Sequence, residues 1–144
     1  MLLKNAFIAL FSFSILHADT LKECKTEADK ISGCMQTYYD NGAVFKVPYK
    51  NDKREGMVKW YYESGNLASE IPHKNDEAYG NLKYYTEDGE LLALLKAENG
   101  KITSGKCYNN KAPTNKDLEE IGRFYNAGKA INYLKEICLS NDSK

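Results

Sequence analysis

The sequence predicts an α+β fold, an antiparallel sheet built from repeated β-hairpins and flanked by an N-terminal helix and a C-terminal helical segment. Three observations carry that prediction. A stretch of about two dozen residues occurs three times in the middle of the chain, alternating apolar and polar residues around a glycine turn. Apolar residues at helical spacing stand outside the repeats, with capping signals in front of them. Four cysteines stand two before the repeats and two after.

The repeats occupy residues 34–106. In the second and third copies Gly56 superimposes on Gly80, Lys59 on Lys83, Trp60 on Tyr84, Tyr61 on Tyr85, Gly65 on Gly89, Leu67 on Leu91 and Ile71 on Leu95. A partial first copy begins at Tyr38, with Gly42 in the place of Gly65 and Val47-Pro48 echoing Ile71-Pro72. A unit of this length cannot bury its apolar face alone, so the copies must stack side by side. Strand alternation sends Val58, Trp60 and Tyr62 to one face and Met57, Lys59 and Tyr61 to the other. Gly65 supplies the positive φ of the hairpin turn, and the chain returns through Leu67, Ser69 and Ile71. In the third copy Leu82 and Tyr84 face inward and the return strand runs through Leu91, Ala93 and Leu95. Leu91 to Leu95 is apolar on both faces, so the flanking helices are expected to cover its second face. Gly42 to Val47 spans five residues where Gly65 to Ile71 and Gly89 to Leu95 span six. Because a one-residue slip reverses every later side chain, the difference predicts a bulge or an irregular first hairpin around Val44–Val47.

Before the repeats, Lys4, the apolar stretch Ala6 to Leu16 and Leu16-His17-Ala18 read as a signal peptide over residues 1–18. Residues 19–144 then form a single domain. Thr20 and Glu23 make a capping-box pattern, and Leu21, Cys24, Ala28 and Ile31 recur at helical spacing until Ser32-Gly33, predicting a helix over residues 19–33. After the repeats, residues 107–144 form a helical segment. It opens with a second capping box at Thr114 and Asp117, and Leu118, Ile121, Tyr125, Ile131, Leu134 and Cys138 fall on or near one stripe. Gly128 leaves open one long helix or two separated near Asn126–Gly128, and the end from Leu139 reads as frayed.

Composition excludes several function classes. The chain carries 20 basic and 20 acidic residues, and removing the leader takes away Lys4 and no acid, which leaves no electrostatic footprint for nucleic acid. All four cysteines lie beyond the leader. An even count in an oxidising compartment predicts two disulfides in one of three pairings, of which Cys24–Cys34 with Cys107–Cys138 is favoured because each bond would tie a flanking helix to the near end of the sheet. The spacings contain no metal knuckle, so neither a metal nor a cofactor is expected. Beyond the leader the one histidine, His73, fills the slot taken by Tyr49 and Ala97 in the other copies and reads as a variable strand-edge position. Hydrolase, phosphate-loop and dinucleotide signatures are absent, so the chain is not read as an enzyme.

The pattern Gly-x-x-Lys-(Trp/Tyr)-Tyr-x-x-x-Gly-x-Leu, from Gly56 to Leu67 and again from Gly80 to Leu91, resembles the MORN-repeat variant of bacterial YwqK-type antitoxins of toxin–antitoxin systems. The resemblance covers about residues 38–106. It implies a curved sheet of successive hairpins and a role in binding, and it brings no catalytic residues. The leader and the cysteines point to a periplasmic or secreted bacterial protein, where an antitoxin-like role would take the form of exported immunity.

These readings converge on an exported, non-enzymatic repeat protein that binds another protein through the hairpin sheet. Trp60 and Tyr84 are expected to pack inward. Tyr61 and Tyr85, flanked by Lys59 and Lys83, are expected to face outward as the candidate binding residues, because tyrosine offers rigid area and a hydroxyl. The same aromatic ladder supports an alternative ligand, an envelope glycan such as peptidoglycan. Neither nucleic acid nor membrane insertion after leader cleavage is expected.

Overall fold

The computed structural model describes residues 21–124 and 126–140. The leader expected over residues 1–18, Thr20 of the first expected cap, Tyr125 of the C-terminal stripe and the last four residues lie outside the described residues.

The expected helix over residues 19–33 is shortened to Glu27–Ser32 (α1). Before it the chain is extended beside the first strand: Cys24 N donates to Met35 O at 2.9 Å, and Met35 N to Lys22 O at 2.8 Å. Cys24 is bonded to Cys34, the first residue of strand β1 (Cys34–Asp40), with a Cα separation of 5.1 Å. A residue held that close to a strand cannot sit on a helix that ends just before the same strand, so helix starts only past the bond. The cap forms at Thr26, where the Asp29 carboxylate accepts from the backbone N–H of Lys25 and of Thr26. Glu23, expected to close a box with Thr20, instead accepts from the backbone N–H and the hydroxyl of Thr37.

The remaining strands are β2 (Ala43–Lys50), β3 (Lys53–Arg54), β4 (Gly56–Tyr61), β5 (Leu67–Lys74), β6 (Glu77–Ala78), β7 (Gly80–Tyr85), β8 (Leu91–Glu98) and β9 (Lys101–Cys107). They form one antiparallel sheet ordered β1-β2-β4-β5-β7-β8-β9, with the two-residue β3 and β6 pairing β2 and β5. The turns between hairpins recur every 24 residues at Asn51-Asp52, Asn75-Asp76 and Asn99-Gly100, all with positive φ, as a two-residue primed turn requires. They stack as a ladder. Asn51 and Asp52 donate to the Ile31 and Lys30 carbonyls at the end of α1, Asp76 N to Arg54 O, and Gly100 N to Ala78 O. Helix α1 thereby caps the first rung, its carbonyls taken up by a turn.

The length difference between copies is absorbed, though not where expected. The first hairpin pairs without a shift from Cys34↔Tyr49 to Asp40↔Ala43, around a two-residue Asn41-Gly42 turn. The irregularity lies in the longer copies. Trp60 faces Ser69 and Tyr61 faces Leu67, leaving Ala68 as the extra residue; in the third copy Leu92 is extra in the same way. Both extra residues are completely buried, and with Ser69 and Ala93 they put two consecutive residues into the core. A bulge turns an unpaired residue inward where simple alternation allows only every second one.

Between hairpins the strands bend as well. Four residues, 55–58, lie opposite Val47 and Pro48, and four, 79–82, opposite Ile71 and Pro72. Proline lacks the N–H that would continue the ladder. Gly56, at φ 116°, takes up the bend, and a Cβ there would press on Pro48 at 3.2 Å.

The C-terminal segment forms two helices, α2 (Asn115–Arg123) and α3 (Ala127–Leu139). The expected cap is present, with Asp117 Oδ2 accepting from Thr114 N at 2.8 Å and Thr114 Oγ1 from Asp117 N at 3.2 Å. Asn126 divides the helices, its side chain accepting from Gly128 N and Lys129 N as a new N-cap. Cys107, at the end of β9, is bonded to Cys138 of α3, Cα to Cα 5.4 Å. The core lies between these helices and one face of the sheet, around Leu82, Tyr84, Leu92, Leu95, Leu118, Ile121, Ile131 and Leu134.

The helices do not cover both faces of β8. They cover the face bearing Ala93, Leu95 and Ala97, while Leu91 and Leu94 remain 41% and 37% exposed on the other. The bulge at Leu92 is the reason Leu91 departs from the face on which simple alternation places it beside Ala93 and Leu95.

Candidate binding face

Cross-strand pairing sets the chemistry of the open face. Lys46 lies opposite Lys59, Lys59 opposite Glu70, Glu70 opposite Lys83, Lys83 opposite Leu94 and Leu94 opposite Lys106. Facing residues on adjacent strands share a face, so these six side chains form one row across the sheet. Four of them are lysines. The single acid, Glu70, is engaged: the Tyr85 hydroxyl donates to its Oε2 at 3.0 Å. Lys46 and Lys59 face each other with no acid between them, and Lys46 Nζ lies 5.7 Å from the centroid of the Tyr61 ring, a cation–π contact. Burial, followed by the bond to Glu70, holds the Tyr85 hydroxyl above the ordinary tyrosine range, so it stays a donor at neutral pH.

All four residues singled out from the sequence lie on this face, but in two groups. Lys59 and Tyr61 line a shallow cavity of about 570 Å³ together with Met35, Lys46, Met57 and Glu23. Lys83 and Tyr85 stand two strands away, across Glu70. Sequence reasoning missed Lys46 and Lys106. The Asn41-Gly42 turn was the available signal for Lys46, since a two-residue hairpin places Lys46 opposite Thr37 and on the face of Tyr39.

The opposite face holds the inward aromatics. Trp60 stacks on Phe45 at 5.6 Å and tilts against Tyr62 at 5.4 Å, and the Tyr62 hydroxyl donates to Tyr85 O at 2.6 Å. His73 is not at a strand edge. It lies in the interior strand β5, opposite Gly56 and Ala78, and only 8% of it is exposed. Its slot points to the covered face in every copy, which is why Tyr49 is half-buried there and Ala97 buried. Burial lowers its pKa, and its Nδ1 donates to Ile71 O at 3.0 Å, so the ring is neutral with Nε2 as acceptor.

Among the described residues, no group of three His, Cys, Asp or Glu side chains could hold a metal ion, and no helix is long and apolar enough to cross a membrane. The two cysteine pairs are at disulfide distance.

A search among curated proteins finds no match to the chain. The MORN repeat variant family matches residues 32–51 and 54–75. Each match ends on the asparagine that begins an inter-hairpin turn, so the family's unit coincides with the structural one: the stretch between successive rungs of the turn ladder. The third hairpin, unmatched, keeps the same turn spacing and the same bulge. Such repeats are generally non-catalytic and are often protein- or lipid-binding modules. Two hairpins are matched in register and a third is built to the same plan: the chain carries MORN-variant repeats at residues 32–51 and 54–75, and the hairpin after them follows their pattern.

Proposed function

We propose that this is an exported, non-enzymatic module that binds another protein on the open face of its sheet, through Lys59, Tyr61, Lys83 and Tyr85 joined by Lys46. The observation that carries this reading is the lysine row. It crosses the strands on the face the helices leave bare, flanked by the half-buried rings of Tyr61 and Tyr85 and the exposed apolar Met57, Leu91 and Leu94. Lysines held opposite one another on neighbouring strands repel in the free protein. A partner bearing carboxylates relieves that repulsion, while apolar side chains beside the row supply area to bury. The two disulfides support export, since such bonds persist in oxidising compartments. An immunity-like role outside the cytosol is one form this binding could take.

The test places a photo-crosslinking residue at Tyr61 or Tyr85, and at exposed Tyr108 as a control, in the cells that make the protein. The expected result is one adduct, formed from the two sheet positions alone, lost when Lys59 and Lys83 are changed to glutamate and weakened by salt. Sedimentation with purified peptidoglycan that survives both charge changes but is lost in Tyr61→Ala with Tyr85→Ala would replace the protein partner with a glycan. Intact mass of the mature chain tests export: cleavage after Ala18 with all four thiols oxidised is expected, and a retained leader with free thiols would overturn it.

A further inference from the structure

On the covered face the helices leave a groove of about 470 Å³. Its floor is the inward face of β4, β5 and β7, and Ile121, Phe124 and Ala130 wall one side. Three side chains on the floor are polar and more than nine-tenths buried: Ser69 at 2% exposure, Tyr84 at 3% and His73 at 8%. The Ser69 and Tyr84 hydroxyls and His73 Nε2 have no hydrogen-bonding partner among the described residues, yet they are not sealed off in the packing. Each of the three is open to the groove, where water or an occupant with matching groups can bond it, and among the described residues the one buried side-chain polar atom without a partner, Trp60 Nε1, belongs to a ring in the same lining. All three are uncharged at neutral pH. Burial keeps the Tyr84 hydroxyl protonated and His73 deprotonated.

The spacing of these groups describes the occupant. Ser69 and Tyr84 are cross-strand neighbours at one level. His73 lies four residues along β5 from Ser69, about 13 Å at the rise of a strand. Between the two levels the floor is apolar, made by Val58, Ile71 and Leu82. Beyond His73 the groove ends at Arg54, Asp76 and Glu77, where Arg54 Nε is already paired with Asp76 Oδ1 at 3.3 Å, leaving an excess of negative charge. An anionic head would meet repulsion there and an apolar floor elsewhere.

We propose that this groove binds an elongated, uncharged small molecule, apolar along its middle and carrying a hydroxyl or comparable hydrogen-bonding group near each end. The site has the size and the mostly apolar lining of small-molecule pockets, with a few polar groups to fix orientation. It is separate from the lysine row, which lies on the opposite face of the same strands.

The chain has one tryptophan, Trp60, and its ring lines the groove, so intrinsic fluorescence reports occupancy directly. The full-length oxidised protein is titrated with decamethylene glycol, a diol with a hydroxyl at each end, and with sebacate, the dicarboxylate of the same chain length. Calorimetry on the same samples reads any binding that leaves Trp60 unperturbed. The expected result is saturable binding of the diol, with sebacate at least tenfold weaker. Val58→Phe, which fills the middle of the groove, should abolish the response, and the near-isosteric Ser69→Ala should weaken it about fivefold, the loss of one hydrogen bond. Lys59→Glu with Lys83→Glu should leave it unchanged. No saturable binding up to the solubility limit of the diol, equal affinity for sebacate, or undiminished binding in Ser69→Ala would each overturn the proposal, the first meaning that water alone satisfies these groups.

Discussion

Strand β8 carries two leucines on each face, and the two pairs have opposite fates. Leu92 and Leu95 are completely buried under α3, while Leu91 and Leu94, one residue away, remain over a third exposed beside Lys83 and Lys106. A hydrophobic residue in a repeat sheet is therefore not a core residue until something is laid over it. Here the cover is one-sided: α2 and α3, anchored through Cys107–Cys138 and joined by the bond from the Tyr133 hydroxyl to Asp117 Oδ1 at 2.8 Å, close one face and leave the other open.

The sharpest way to break this comparison is to truncate one leucine on each side. Leu134→Ala, under the helices, should cost about 3 kcal/mol in urea unfolding, because it leaves a cavity in a closed core. Leu94→Ala, on the open face, should change stability by about 0.5 kcal/mol or less. Equal losses would mean that the second face is covered after all. Next in size is the anchor itself. Replacing Cys107 and Cys138 by serine should cost about 3 kcal/mol, and replacing Cys24 and Cys34 somewhat less, since the latter bond closes a ten-residue separation against thirty-one.

A smaller effect separates the faces by pH. Burial, opposed by the bond to the Ile71 carbonyl, aided by the Arg54 charge and opposed by that of Asp76, holds the folded pKa of His73 below the ordinary 6.5. As pH falls below 6.5 the unfolded chain takes up a proton that the folded protein refuses, and stability must decline. Urea midpoints at pH 7.5 and pH 5 should show this decline in the wild type and a flatter profile in His73→Asn. The carboxylates of Asp76 and Asp117, held low by hydrogen bonds from Arg54 and Thr114, act in a different window. Their contribution is present above the ordinary 3.8 and is lost as pH falls further. A decline above pH 5 that persists in His73→Asn would move its origin away from the covered face. A last, small effect belongs to the lysine row: Lys59→Glu with Lys83→Glu relieves the Lys46–Lys59 pair but sets two carboxylates opposite Glu70, and should lower stability by about 1 kcal/mol. A loss of crosslinking in a variant that still unfolds cooperatively at that cost therefore reports the surface and not the fold.

Local chemistry was readable where neighbouring residues determine it. The asparagine and glycine turns, the Thr114–Asp117 cap and the inward Trp60 and Tyr84 follow from residues close in the chain. The cysteine pairing followed from a coarse topology, two at the front end of the sheet and two at its back end. Three features were not readable, each because a distant contact decides it. The first helix starts late because Cys24 is bonded to the strand that follows it. The bulges sit at Ala68 and Leu92, and not near Val44, because a small or apolar residue can be taken into the core there, whereas the first hairpin lies away from α2 and α3 and has nothing to receive an extra side chain. His73 looked like an edge residue because its slot varies among copies, but β5 is interior and the variation reflects what packs on each repeat.

From the residues alone came the 24-residue unit, its hairpin form, the face on which Lys59, Tyr61, Lys83 and Tyr85 lie together, and the two disulfides. These are set by backbone geometry and alternation, which act over a few residues and recur in each copy. That the helices cover one face of β8 and not both, where Lys46 and Lys106 complete the row, and that a groove with open polar groups lies under the helices were decided by tertiary packing. A repeat specifies the same two faces each time, and only the non-repeating ends, tied down by Cys24–Cys34 and Cys107–Cys138, decide how far one of them is covered.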